Sequence, residues 1–272
     1  MYILAILDRP ETASFTLETT AELARRLGCT DIRGLHPQLA EDPAFQSPDE
    51  GMPSDGERKR FAQAVSARAE SLRRIFQHWT QDAGLVGTSH WIEIAGDVRR
   101  IVAREAASAD MVVLSRPRAD DPAYVSQAFA GALYDARATV VVAPLQHHDT
   151  VGSHPIIAWH PAENLERALA AARPLLEKAR TVTVIIGERR AGEVADPLLV
   201  SDLRAQGVAV SVERFVITSP NVGEDIRKHA LASGGDLLVM GAYSHAHFLE
   251  WLFGGPTQDL LTHATLPLLT HH

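Results

Sequence analysis

One cysteine, Cys29, stands in 272 residues, so no internal disulfide framework can form and a reducing compartment is expected. No apolar run approaches the roughly 20 residues of a membrane-spanning helix. The opening stretch "MYILAILDRPETASF" lacks the basic segment of a secretory signal and meets Asp8 and Arg9 early, so it reads as a first strand. The expected location is therefore cytoplasmic. Basic charge is also scarce: the formal net charge is -8 and the pI is about 5.9, which argues against DNA or RNA as partner. Two catalytic signatures are absent as well. No Gly-Lys-Ser/Thr loop occurs, which excludes P-loop nucleotide turnover, and Ser126, Ser219 and Ser244 lack the Gly-x-Ser-x-Gly elbow of α/β-hydrolases.

What is present is an ordinary globular composition, 46% hydrophobic and 22% charged, in a chain long enough for two domains of about 130 to 150 residues. Landmarks recur in the same order in two halves. "YILAIL" and "PIIAWH" each precede a polar turn and an Ala/Leu-rich helical stretch. "ADMVVLSRP" corresponds to "GDLLVMGAY", and "ATVVVAP" to "ATLPLLT". The polar stretch 145–154 reads as the linker, dividing the chain into domains 1–145 and 155–272. The second half reads as strand 156–160, helix 164–179, strand 181–186, helix 196–206, strand 208–216, helix 222–233, strand 235–240, helix 255–263 and strand 266–270. Asn164 is the expected cap of its first helix, and Gly234-Gly235 the stop of the third. The strands are continuous Val/Ile/Leu runs, as strands covered on both faces are. The fold class is α/β, with parallel sheets and helices on both faces. The first half adds a Pro/Asp/Glu-rich loop and a long amphipathic helix over about 57–81.

Ligands in open α/β sheets sit outside the carboxyl ends of the strands where the strand order reverses. The segment "DLLVMGAYSHAHFLEWLFGGPTQDLL" follows such a strand. Gly241 and Ser244 stand at its start; nine residues later come Gly254 and Gly255, then Thr257 at the mouth of a helix. Small residues and a hydroxyl there leave amides and a helix dipole available to an anion. A tight turn with an N-cap is the bland alternative.

These segments, with "IIAWHPAENLERALAAARPLLEKARTVTVI" and the terminal "ATLPLL", resemble the universal stress proteins, specifically a tandem of two fused Usp domains. The resemblance implies a Rossmann-like, five-stranded parallel sheet per domain, related to adenine nucleotide alpha hydrolases, and pairing of the domains through their last strands. ATP-binding members carry Gly-x-x-Gly, nine residues, then Gly followed by Ser or Thr. This chain keeps the frame, with Ser244 for the second glycine and Gly255 for the hydroxyl residue. The family's acid at the end of the first strand is replaced by His160 in the second half. In the first half Asp8 keeps that acid, but Ser115-Arg116-Pro117 replaces the strand-end glycine and only Gly131 remains near the last helix. The first half therefore reads as a domain that has lost its ligand.

His245, His247, His263, His271-His272 and His147-His148 match no metal spacing, and polar loop decoration is the simpler account. Cys29 reads as a small buried residue, "SRPRADDPAY" as a solvated loop, and "FLEWLF" (248–253) as a docking surface if exposed. The expected function is a non-enzymatic stress-response protein. Its second domain would hold ATP or another adenine nucleotide through His160, Gly241, Ser244, Gly254, Gly255 and Thr257, with Mg²⁺ only as a companion of ATP. A homodimer and an unidentified protein partner are also expected. The alternatives are an interaction protein that binds no nucleotide and a slow nucleotide hydrolase or transferase.

Overall fold

The computed structural model describes residues 1–42, 52–118, 120–217, 222–242 and 266–272. The first strand, β1 (Tyr2–Ile6), shows why the sheet needs cover on both faces. Ile3, Leu4, Ala5 and Ile6 are each at most 1% exposed, so neighbouring side chains that point in opposite directions are all buried. Helix α1 (Pro10–Leu27) follows, with proline in its first turn and Gly28 closing it at φ 71°. After β2 (Asp31–Leu39) comes α2 (Asp55–Asp82), the long helix expected from its apolar stripe. It starts at a capping box: Glu57 N donates to Ser54 Oγ at 3.3 Å and Ser54 N donates to the Glu57 carboxylate at 2.8 Å. Leu72 and Phe76 of α2 join Ala13 and Leu17 of α1 in a buried cluster. Phe76 lies so close to Gly34 that a Cβ there would stand 2.6 Å from the ring.

The first half continues with β3 (Ser89–Gly96), α3 (Val98–Ala106), β4 (Met111–Ser115), α4 (Ala123–Ala130) running into a π-helical turn (Gly131–Asp135), and β5 (Val140–Ala143). The second half runs β6 (Pro155–Trp159), α5 (Glu163–Glu177), β7 (Thr181–Glu188), α6 (Leu198–Ala205), β8 (Ala209–Val216), α7 (Val222–Ala232), β9 (Leu237–Gly241) and β10 (Leu268–His271). The expected helix over 255–263 lies outside the described residues.

The ten strands of the described residues form one sheet in the order β3-β2-β1-β4-β5-β10-β9-β6-β7-β8. Every pairing is parallel except β5 with β10, where Leu268, Leu269 and Thr270 run antiparallel to Val142, Val141 and Val140. The carboxyl ends of the first five strands therefore lie along one edge of the sheet and those of the last five along the opposite edge. Strand order reverses between β1 and β4 in one half and between β6 and β9 in the other. One core layer packs α1, α5 and α6 on the sheet, and the other packs α3, α4 and α7.

One expectation is corrected. Asn164 does not cap α5; Ala162 holds the cap position without a side-chain bond, and Asn164 instead donates from Nδ2 to Ala242 O at 2.6 Å, tying the helix to the end of β9. A backbone carbonyl at a buried strand end must find a donor, and the amide supplies it. The connection 145–154, which has no apolar period, is nevertheless anchored. Val151 is fully buried, and the Asp236 carboxylate accepts bonds from Thr150 Oγ1, Ser153 N and His154 N at 2.6 to 2.8 Å.

Candidate functional site

The two reversals of strand order are filled in opposite ways. In the first half, Asp8 and Arg9 leave the end of β1 while Ser115 and Arg116 leave the end of β4. Arg9 is 2% exposed and its guanidinium occupies the crevice. Nε donates to Asp8 Oδ1 at 3.2 Å, Nη1 to Asp121 Oδ2, and Nη2 to Ser115 Oγ and to the Arg116 carbonyl at 3.2 Å. Burial pushes the Asp8 carboxyl above its usual range, with Arg9 opposing that rise. Burial alone would lower Arg9, but Asp8 and Asp121 outweigh it and hold the guanidinium charged. Arg116 is buried too, with its pKa lowered by burial to about 10. Its Nη2 donates to Leu266 O at 3.2 Å, while Nε and Nη1 have no partner among the described residues. The reading of Ser115–Tyr124 as a solvated loop is thus corrected: Ser115 and Arg116 are buried, and Asp121 turns inward to Arg9.

In the second half the reversal holds a cavity of about 120 Å³. Ala158, Trp159 and His160 line it from the end of β6, Ile185 and Gly187 from β7, and Met240 from β9, with Ile217 and Ile226 closing it. The wall is apolar apart from His160, whose imidazole is pushed below its ordinary pKa by burial and is therefore neutral at pH 7. A neutral imidazole offers one donor and one acceptor. Gly187 lets the Phe215 and Ile217 side chains pack directly on β7, because a Cβ there would meet the Phe215 ring at 3.0 Å and Ile217 at 3.2 Å. An apolar slot with one polar edge suits a flat heteroaromatic ring better than a phosphate.

Among the residues expected to hold a ligand, His160 lies on this cavity. Gly241 ends β9 beside it, but the space its missing side chain leaves is taken by protein: a Cβ would stand 2.6 Å from Leu165 N and 3.0 Å from Asn164 C. Close approach at Gly241 is therefore between β9 and the first turn of α5. Ser244, Gly254, Gly255 and Thr257 lie outside the described residues, as do His245, His247, His263 and the aromatic stretch 248–253. Gly131 is not at a helix start. It sits against α3, where a Cβ would clash with Arg99 O at 2.4 Å. Cys29 is buried, its thiol 3.3 Å from Asp31 O. Among the described residues no His, Cys, Asp and Glu cluster could hold a metal ion, and no helix is long and apolar enough to cross a membrane.

A larger groove of about 1060 Å³ runs along α2 near the ends of β2 and β3. It is away from both reversals, and its arginines are engaged, Arg73 with Glu93 and Arg58 with Asp55. The contribution of Arg9 was missed from sequence, although a charged pair directly after a continuous apolar strand was the available signal.

The family model of universal stress proteins, described as "Universal stress protein family", matches residues 120–272, which contain the second-half cavity. The chain belongs to the universal stress protein family. No curated protein sequence matches it significantly. Among solved structures, a universal stress protein from Archaeoglobus fulgidus superposes with a TM-score of 0.74 at 16% identity, over 98% of this chain and 94% of that one. A Pseudomonas aeruginosa protein described as a universal stress protein gives 0.54 at 14% identity, covering 98% of this chain and 91% of that one. A second Pseudomonas aeruginosa protein, of unknown function, gives 0.52 at 13% identity with the same coverages. At these identities the likeness concerns fold. The mostly parallel α/β sheet is thus that of universal stress proteins, with the family model anchored on the half that keeps an open strand-end slot.

Proposed function

We propose that this universal stress protein is a non-enzymatic binding protein whose second half, residues 155–272, holds an adenine nucleotide, while the first half, residues 1–145, is a second Usp-like unit that has lost its ligand. The observation that carries the reading is the apolar cavity at the β6/β9 reversal, with His160 as its polar edge. The base would enter this slot, with the neutral imidazole as hydrogen-bond partner. Gly241 would stand at the sugar side, and Ser244, Gly254, Gly255 and Thr257 toward the phosphates. Mg²⁺ would accompany ATP only. Nucleotide occupancy would be communicated to a protein partner or a second copy through the segment after β9. The described residues that line the cavity include no carboxylate; turnover, if measured, would be very slow.

A second reading has its own support. The cavity is smaller than the roughly 300 to 1,000 Å³ usual for small-molecule sites, which favours an interaction protein that binds no nucleotide. Mass spectrometry of small molecules released from the purified chain, with calorimetry against ATP and Mg²⁺, separates the two. Released adenine nucleotide, or heat of binding below millimolar ATP, supports the first reading. Neither signal would leave the second.

A further inference from the structure

The long helix α2 is packed along only half of its length. Its buried residues are Ala69, Leu72, Phe76 and Thr80, whereas every residue from Asp55 to Arg68 is at least partly exposed. The exposed half is nevertheless amphipathic. Phe61, Val65 and Ala69 fall one turn apart with Ala62 beside them, and all four line the groove of about 1060 Å³. A helix in water owes most of its stability to the packing of its apolar face. The first half of α2 has such a face, and none of the described residues buries it. Across the groove stand Leu39 at the end of β2, Ala40 after it, and Ala95 of β3, the outermost strand of the sheet.

Shape and charge narrow the occupant. The lining residues of α2 run from Arg58 to Arg73, which at about 1.5 Å per residue makes the groove about 22 Å long. Its volume reaches the upper end of the roughly 300 to 1,000 Å³ usual for small-molecule sites. One wall is a row of side chains one turn apart, the surface into which the ridges of a second helix pack. The lining carries four carboxylates, Glu41, Asp42, Glu70 and Glu93, and two arginines. Both arginines are paired, Arg58 with Asp55 and Arg73 with Glu93. Glu93 is also fixed by Gln38 Nε2 at 2.6 Å and Trp91 Nε1 at 3.0 Å. Glu41 and Glu70 have no ion pair among the described residues, and Lys59, Arg60 and Arg68, the other cations of this half of α2, do not line the groove. The unanswered charge of the rim is negative.

We propose that the groove between α2 and the ends of β2 and β3 docks an amphipathic helix of a partner protein, about 15 residues long, with Lys or Arg flanking its apolar stripe. The stripe packs on Phe61, Val65 and Ala69, and the basic flanks face Glu41 and Glu70. The site lies in the first half and is independent of the nucleotide reading. It gives the half that has lost its ligand a binding role of its own.

Selection on the full chain from a displayed library of helical peptides of about 15 residues tests it. The apolar stripe is fixed, and the flanking positions are randomised over Lys, Arg, Glu, Gln and Ser. Selected peptides should carry Lys or Arg on their flanks, and their affinity is read by fluorescence anisotropy. Val65→Asp should weaken binding by about tenfold or more. The double variant Glu41→Lys/Glu70→Lys should weaken it by about fivefold. Glu41 and Glu70 are exposed, so this second variant reports on binding even if Val65→Asp disturbs α2. No enrichment, acidic flanks, or binding that both variants leave unchanged would overturn the proposal. A wild-type dimer in sedimentation that Val65→Asp dissociates would do the same, by making a second copy the occupant. Peptide binding that appears only after Phe45→Ser would assign the groove to residues 43–51 of this chain and overturn it equally.

Discussion

The same topological position is a plug in one half and a slot in the other. At the β1/β4 reversal, two carboxylates, a serine and a carbonyl converge on the Arg9 guanidinium. At the β6/β9 reversal, Ile185, Met240 and Ile226 surround an opening with His160 at its lip. The backbone path is common to both, and the side chains that follow each strand decide whether an internal cation or an outside molecule fills the crevice. The second-half family match follows the open site.

The sharpest way to break this comparison is Arg9→Met. Removing the cation leaves Asp8 and Asp121 close together without their counter-charge, which should cost about 3 to 5 kcal/mol in urea unfolding. A loss under about 1 kcal/mol would mean that Arg9 is not the keystone of the first crevice. Next comes Gly241→Ala, where the added methyl meets the α5 backbone at Leu165 N. Overpacking of this kind should cost about 1 to 3 kcal/mol. Gly187→Ala faces the movable ends of Phe215 and Ile217, so it should cost less and narrow the slot instead. Equal costs for the two alanines would show that β9 and α5 can separate.

A smaller effect, of opposite sign, is expected at Arg116. Its two nitrogens without a partner among the described residues make it a buried charge with one carbonyl bond. Arg116→Met should raise stability by about 1 kcal/mol in the same unfolding assay, and a clear loss would reveal a counter-charge role. The smallest effect is a pH slope from His36. It is buried, with Nδ1 donating to Leu7 O at 2.8 Å and Nε2 unpartnered, and burial and Arg68 depress its pKa below 6.5. Below pH 6.5 the unfolded chain takes up a proton that the folded chain resists, so this contribution is present at neutral pH and declines on acidification. The melting temperature of wild type should fall more steeply between pH 7 and 5.5 than that of His36→Gln. Parallel slopes would dismiss His36 as a contributor.

Much of the fold could be read directly. The expected strands of the second half begin and end within a few residues of β6 to β10, because continuous Val/Ile/Leu runs have few other stable uses in a chain of this length. The α2 stripe, Phe61 to Trp79, likewise declared its helix. The site was less legible. His160 was recognised by its place after a strand, but the role of Arg9 went unread because a buried ion pair has no sequence period. The close backbone contacts that Gly241 and Gly131 make with neighbouring helices were not legible, because only three-dimensional packing shows which neighbour a missing Cβ admits.

By itself the amino-acid order determined the alternation of strands and helices, the duplicated layout and the absence of P-loop chemistry. These depend on local hydrophobic period and on motifs contained in short segments. Tertiary structure alone decided that β5 meets β10 antiparallel, which sends the two sets of strand ends to opposite edges, and that Arg9 closes the first-half crevice. Those outcomes depend on contacts between residues more than a hundred positions apart, whose energies are set by burial and charge in space and leave no local trace in the chain.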